Sequence, residues 1–150
     1  MDCFRRALKD TLQEMSGLDC ILGETIPQQG ILESKGLAAI LSITGKMQGR
    51  VILDTSREVA CWLCARMNGE EYGPEDDFVL FSLAEFLNII SGNATTELNN
   101  RHRDLNLRVT PPSVFVGRRL NINSPKVKAG IIRMETDAGD ICLSVGFEGS

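Results

Sequence analysis

The sequence predicts an α+β domain, with long helices packed on an antiparallel β-sheet. Three observations carry that expectation: two stretches with helical spacing of apolar residues, a block of short β-prone runs after each, and turn residues that join neighbouring runs. Residues 2–17 read as the first helix, with Phe4, Leu8, Leu12 and Met15 at helical steps and Gly17 as the stop. From Cys20 to Thr55 the pattern turns to β-prone runs, Leu37–Thr44 and Arg50–Asp54. Gly45 and Gly49 part them, so a hairpin is expected. Thr55-Ser56-Arg57-Glu58 has capping-box spacing and predicts a second helix, with Thr55 as N-cap, to about Met67 before Asn68-Gly69. After a polar link over 69–77, a long helix is expected from about Pro74 or Glu75 to about Asn99. Four β-prone runs follow, near Leu105–Val109, Val114–Gly117, Ala129–Glu135 and Ile141–Phe147. Turns are expected at Pro111-Pro112, Ser124-Pro125 and Asp137-Ala138-Gly139. Aligning Gly17 with Gly92 also pairs Asp10 with Glu85, Leu12 with Leu87, Gln13 with Asn88 and Ser16 with Ser91. That suggests a weak internal pseudo-repeat, with chance matching as the alternative.

The chain has 150 residues, 43% of them apolar and 24% charged. One domain over residues 1–150 is expected, because chains of this size bury roughly 68–70% of the surface exposed when unfolded. The 16 basic and 20 acidic residues give a net charge of −4. That balance disfavours disorder, and its sign disfavours nucleic acid, which binds a phosphate-neutralising basic surface. The longest apolar stretch, Phe78 to Ala84, is broken by Ser82 and stopped by Glu85, well short of the ~20 residues that span a bilayer. No apolar run follows the basic pair Arg5-Arg6, so a cytoplasmic chain without a membrane partner is expected. The five cysteines, Cys3, Cys20, Cys61, Cys64 and Cys142, lack framework spacing and read as reduced thiols.

The long helix carries the strongest signal. At ~100° per residue, with Glu85 at zero, one apolar stripe collects Val79, Leu80, Leu83, Phe86, Leu87, Ile90, Ala94 and Leu98. Glu85, Asn88, Gly92, Thr95, Thr96 and Asn99 fall on the opposite side. An ordinary solvated face would look the same, but Phe78, Phe81 and Ile89 also fall there and put apolar groups around Glu85 and Asn88. Such a mixture is typical of a partner-binding surface. Gly92 sits in mid-helix, where it costs about 1 kcal/mol relative to alanine. Its missing side chain would admit another backbone or a ligand one turn from Asn88.

The run Glu85-Phe-Leu-Asn88-Ile-Ile-Ser-Gly92-Asn-Ala resembles the E-x-x-N helix motif of the CheC/CheX/FliY chemotaxis phosphatases. In that pattern a proline follows the asparagine after 22 residues, where this chain has Pro111. Val109–Gly117, Ile43–Arg50 and Met67–Tyr72 also look like segments of the CheX branch, so the resemblance covers nearly the whole chain. One departure is Phe81, standing where the family pattern usually has Asp or Ser, with Ser82 one residue away. CheC-type members carry a second motif in the first helix, of which Asp10 and Gln13 are at best remnants. A single intact site makes the chain similar to the CheX branch.

The resemblance implies a CheX-like fold, a homodimer, and a phosphorylated CheY-like response regulator as substrate. Asn88 would then orient the attacking water, as a glutamine does in GTPases, and Glu85 would pair with a lysine of the receiver. An amide can donate to and accept from water without setting a negative charge beside the phosphoryl group. Phe81, Ile89 and Gly92 would border the partner. No metal ligand or cofactor of the chain's own is implied, and Mg²⁺ would come with the receiver. A catalytically silent module that docks on a receiver or another chemotaxis component is the alternative.

Cys61-Trp-Leu-Cys64 is the main competing feature. With Thr55 as N-cap, Cys61 is too deep in its helix for the dipole to lower its pKa, and Cys3, Cys20, Cys142 and His102 lack zinc spacing. Core packing of small thiols is the expectation, with redox sensing as a weaker one. His102 reads as a surface or capping residue. Gly117-Arg118-Arg119 reads as positive charge near a turn with no specific role, Lys126 and Lys128 as ordinary solvated charges, and the Asn93-Ala-Thr95 sequon as unused.

Overall fold

A computed structural model describes residues 1–17, 21–28, 32–73, 76–117, 121–122 and 127–148. The elements run α1 (Asp2–Ser16), β1 (Ile21–Leu22), β2 (Ile26–Pro27), β3 (Leu32–Glu33), β4 (Leu37–Thr44), β5 (Gly49–Thr55), α2 (Arg57–Asn68) and α3 (Asp77–Arg101). They continue as β6 (Arg108–Val109), β7 (Ser113–Val116), β8 (Asn121–Ile122), β9 (Val127–Thr136) and β10 (Gly139–Glu148). Cys20, Pro74, Glu75, Arg118, Arg119, the Ser124-Pro125 turn and Lys126 lie outside the described residues, as does the side chain of Lys128.

β5 and β10 lie side by side in the middle of one antiparallel sheet, flanked by β4 and β9 respectively. Short strands from each half of the chain close the sheet on the other half. β1 and β2 pair with β9, whereas β6 and β7 pair with β4. β3 and β8 pair separately. The order helix, three short strands, long hairpin thus occurs before α2 and again from α3 onward. Each long hairpin is edged by the other half's strands, which leaves neither central hairpin edge bare.

The side-chain period of two sends one face of the sheet into the core. Ala39, Leu53, Leu143 and Ile132 stand in one cross-strand row, and Leu37, Thr55, Ile141 and Met134 in another. All eight are buried. The helices cover this face, with Phe4, Leu8 and Leu12 of α1 fully buried. On the far face Ala38 and Ile52 are buried with Ile40 beside them. There Asp54 accepts from Ser34 Oγ at 2.6 Å and from the Lys35 amide. Burial pushes its carboxyl above the ordinary carboxylate range, against the pull of those two donors.

Helix boundaries follow their caps. Gly17 (φ 71°) and Gly69 (φ 75°) end α1 and α2 in the left-handed region. The second helix starts one residue later than expected: Ser56, not Thr55, is its N-cap, and its hydroxyl accepts from the Val59 amide. Thr55 instead ends β5 and donates to the Asp140 carbonyl. α3 has the length and mean hydropathy (1.3) of a bilayer span, though no uninterrupted apolar run in the sequence approaches that length. Half of that stretch is buried inside the protein, so its apolar side is taken up by the core.

The helix has one face that the fold needs and one that it does not. Phe86 is 0% exposed and Phe81 is 68% exposed. Phe86→Ala should cost about 3–5 kcal/mol in denaturant unfolding. Phe81→Ala should stay within about 0.5 kcal/mol of the parent.

Candidate functional site

Packing fixes the rotation of α3. Val79, Leu83, Phe86, Leu87, Ile90 and Ala94 are buried, as the apolar stripe predicts, whereas Leu80 and Leu98 are half-buried at its margin. Glu85 is exposed; Asn88, Ile89 and Gly92 are half-buried, and Phe78 and Phe81 are exposed. Among the described residues, the side chain of neither Glu85 nor Asn88 has a hydrogen-bond or ion-pair partner, so the pair is available to a ligand. One turn separates them, which sets a carboxylate and an amide on neighbouring points of one helix face.

Two residues assigned to the polar side by periodicity behave otherwise. Thr95 is 4% exposed, and its hydroxyl donates to the Ser91 carbonyl at 2.8 Å. Such a back-bond lets a hydroxyl enter an interior without an orphaned donor. Asn99 donates to the Leu107 carbonyl (3.0 Å) and accepts from the Leu107 amide (2.8 Å). It clasps the segment leading into β6 and is not a free polar group.

Polar contacts that periodicity does not reveal pin the N-terminal half of α3 to α2. Cys64 Sγ donates to Ser82 Oγ at 3.2 Å, and Asn68 donates to the same oxygen at 3.1 Å and to the Cys64 carbonyl at 3.0 Å. Ser82, 6% exposed, is therefore a structural tie and contributes no polar group to the outer face. Tyr72, just after α2, stacks on Phe78 with ring centroids 5.1 Å apart. The sequence offered only weak signals for these contacts: a lone Ser inside an apolar run, and an aromatic residue shortly before the helix.

The other candidates lie on other elements or beyond the end of α3. Asp10 and Gln13 are exposed on α1. Pro111 is exposed and lines a shallow depression of about 370 Å³ with Ile40, Ser42, Arg50 and Phe115, to which no α3 residue contributes. Its spacing from Asn88 marks the β6–β7 connection at the sheet edge. His102 is the exposed C-cap residue of α3 and donates its amide to the Leu98 carbonyl.

Cys64 is fully buried, and Cys61 is half-buried. With the N-cap at Ser56, Cys61 is the fifth helical residue, still beyond the first turn. Burial first, then the neighbouring Cys64 and Glu58, push its thiol above the usual range, which disfavours the reactive thiolate.

Gly92 has ordinary helical φ, and a Cβ there would meet nothing within 4 Å. The fold therefore does not need glycine at this point, unlike Gly45 (φ 126°), where a Cβ would lie 2.5 Å from the Asn106 carbonyl.

The antiparallel α+β scaffold fixes this helix and leaves a carboxylate and an amide on it without internal partners; related proteins define the class to which such a chain belongs. Residues 37–135 match the family model of the chemotaxis phosphatase CheX, and the chain belongs to that family. The CheY-P phosphatase CheX of Thermotoga maritima is 29% identical over 116 residues, 77% of this chain and 74% of that protein. The chemotaxis protein CheX from Desulfovibrio desulfuricans superposes with a TM-score of 0.87 at 22% identity, over 98% of this chain and 97% of the other. The CheX chain of a CheX-CheY-BeF3-Mg²⁺ complex from Borrelia burgdorferi gives a TM-score of 0.83 at 25% identity, covering 98% and 96%.

Gly92→Ala should stabilise the helix by up to about 1 kcal/mol, seen as a higher melting temperature. A lower one would show that the position is packed in the folded chain. Cys61 should react with iodoacetamide at pH 7 more slowly than a free thiol, as followed by mass spectrometry. Rapid labelling would contradict its raised pKa.

Proposed function

We propose that this chain accelerates hydrolysis of the aspartyl phosphate of a CheY-like response regulator, with Asn88 orienting the attacking water and Glu85 anchoring the partner. The observation that carries this reading is the unpaired Glu85/Asn88 couple on the outward face of a helix whose other face is locked in the core. Membership of the CheX family and the similarity to a CheY-P phosphatase support it.

The reaction moves a water oxygen onto phosphorus while the bond between phosphorus and the aspartyl oxygen breaks, giving inorganic phosphate and a free carboxylate. An acyl phosphate is already activated, so the remaining task is to hold water in line with the breaking bond. The Asn88 amide oxygen accepts from that water and its NH2 donates to a neighbouring oxygen, fixing both position and orientation. A carboxylate in its place would repel the phosphoryl group. Glu85 fits a cationic side chain of the receiver through a charge-assisted hydrogen bond, which sets the register in which Asn88 enters. Gly92 leaves room for the partner's backbone, and Phe81 and Ile89 supply apolar contact. Mg²⁺ belongs to the receiver, where it offsets charge on the phosphoryl oxygens; the related complex contains CheY and Mg²⁺ together. We infer also a single domain that works as a homodimer in the cytoplasm.

The decisive measurement is the decay of a phosphorylated cognate receiver with and without the protein. Asn88→Ala should lower the acceleration by roughly 10²-fold or more with the fold intact. Glu85→Ala should mainly raise KM, by about 10–100-fold, as expected for loss of a hydrogen bond to a charged group. Gly92→Ala should slow turnover despite its higher melting temperature. Full activity in Asn88→Ala would remove the assignment. Wild-type protein that binds the receiver without hastening its decay would instead be a silent docking module.

A further inference from the structure

The Glu85/Asn88 face does not end at Phe81. At ~100° per residue, Phe78, Phe81, Glu85, Asn88, Ile89 and Gly92 lie within about 60° of one line along α3. Phe78 is 42% and Phe81 68% exposed, and no other large apolar residue of α2 or α3 is so open to solvent among the described residues. The Tyr72 ring stacks on Phe78 and extends the surface onto the segment that follows α2. The result is an aromatic ledge of three rings at one end of the site face. It is held in place by the ties from Ser82 to Cys64 and Asn68 at the same level of the helix. Its rim is mainly acidic: Glu70, Glu71, Asp76 and Asp77 are exposed and adjoin Tyr72 or Phe78 in sequence, against one cation, Arg66, which shares a depression with Glu70, Glu71 and Tyr72.

We infer that the Tyr72–Phe78–Phe81 ledge selects the response regulator by seating an apolar segment of its receiver domain, flanked by a basic residue, beside the phosphorylation site. This deepens the proposed phosphatase reading and rests on it for the identity of the occupant. Three observations on the chain argue for that occupant. The ledge is continuous with the Glu85/Asn88 face, its apolar centre matches an apolar segment, and its acidic rim complements a basic flank. Phe78 and Phe81 precede Asn88 by ten and seven positions, a separation of about 10–15 Å along the axis. That distance keeps the ledge out of the reacting atoms while leaving it within the footprint of one docked domain. Its contribution is therefore to affinity and choice of partner, and the chemical step is left to Asn88.

The test titrates the protein with its cognate receiver held in the activated state by beryllofluoride, and measures turnover of the phosphorylated receiver in parallel. Phe81→Asp changes a solvent-facing position and should not disturb the fold; Phe78→Ser, checked by circular dichroism and thermal melting, removes the stacked pair. Each should weaken receiver binding by about tenfold, equivalent to 1.4 kcal/mol. Each should also raise KM in proportion, with kcat within twofold of the parent. Asn88→Ala should bind the receiver with parental affinity while losing turnover, which separates failure of the phosphatase reading from failure of the ledge. Unchanged receiver affinity in both ledge variants would overturn the inference. Weakened self-association in sedimentation, with receiver affinity unchanged, would overturn it in favour of a second copy of the chain.

Discussion

The rotation of α3 about its own axis is the constraint on which the rest depends. A roll of one residue, ~100°, would swing Asn88 away from its present face and pull core side chains into water. Leu83, Phe86, Leu87 and Ile90, each no more than 1% exposed, resist that roll. Burying a side chain of this kind is worth about 1.5–3 kcal/mol, so the set outweighs anything the outer face gains or loses in the free protein. Glu85 and Asn88 can therefore remain without internal partners at little cost. Their orientation is fixed by residues on the other side of the helix.

The sheet gives α3 something rigid to roll against. Because β1 and β2 close on β9 while β6 and β7 close on β4, each half of the chain is incomplete without the other. The long hairpins meet along β5 and β10, whose register runs over seven residue pairs. Slipping that register by one residue would turn Leu53 and Leu143 to the far face, so the hydrophobic pattern holds the platform in place. Position passes from the sheet through the core side chains to the helix, and then to the two polar groups.

How much of this was legible in the sequence depended on period and length. The helices and the long hairpins announced themselves because their apolar spacing persists over many residues. The apolar stripe and the exposed Phe78 and Phe81 followed from the same periodicity. β1, β2, β3 and β8 are two residues long and have no period to read. Thr55 and Ser56 are both good capping residues, and only the end of β5 decides between them. A helical wheel sorts by angle and so places Thr95 and Asn99 on the solvated face, whereas a hydroxyl bonded to the previous turn or an amide clasping a backbone can be satisfied out of solvent. The Glu85/Asn88 pair was legible as a motif. Its lack of internal partners could be seen only once the surrounding side chains had been placed.

The chemistry explains why composition says so little about this protein. Covalent catalysis or metal chemistry of its own would need a nucleophile beside a base or a cluster of ligands, which leave marks in spacing and in perturbed pKa values. Here the raised thiols and the raised Asp54 carboxyl trace to burial, and they belong to packing. If the partner supplies the phosphoryl group, the metal and the cations, what remains for this chain is geometry. Geometry is held by ordinary aliphatic residues that any soluble core would use. The distinctive part is then an asparagine left unpaired on a helix face, and a glycine nearby that the fold itself does not require.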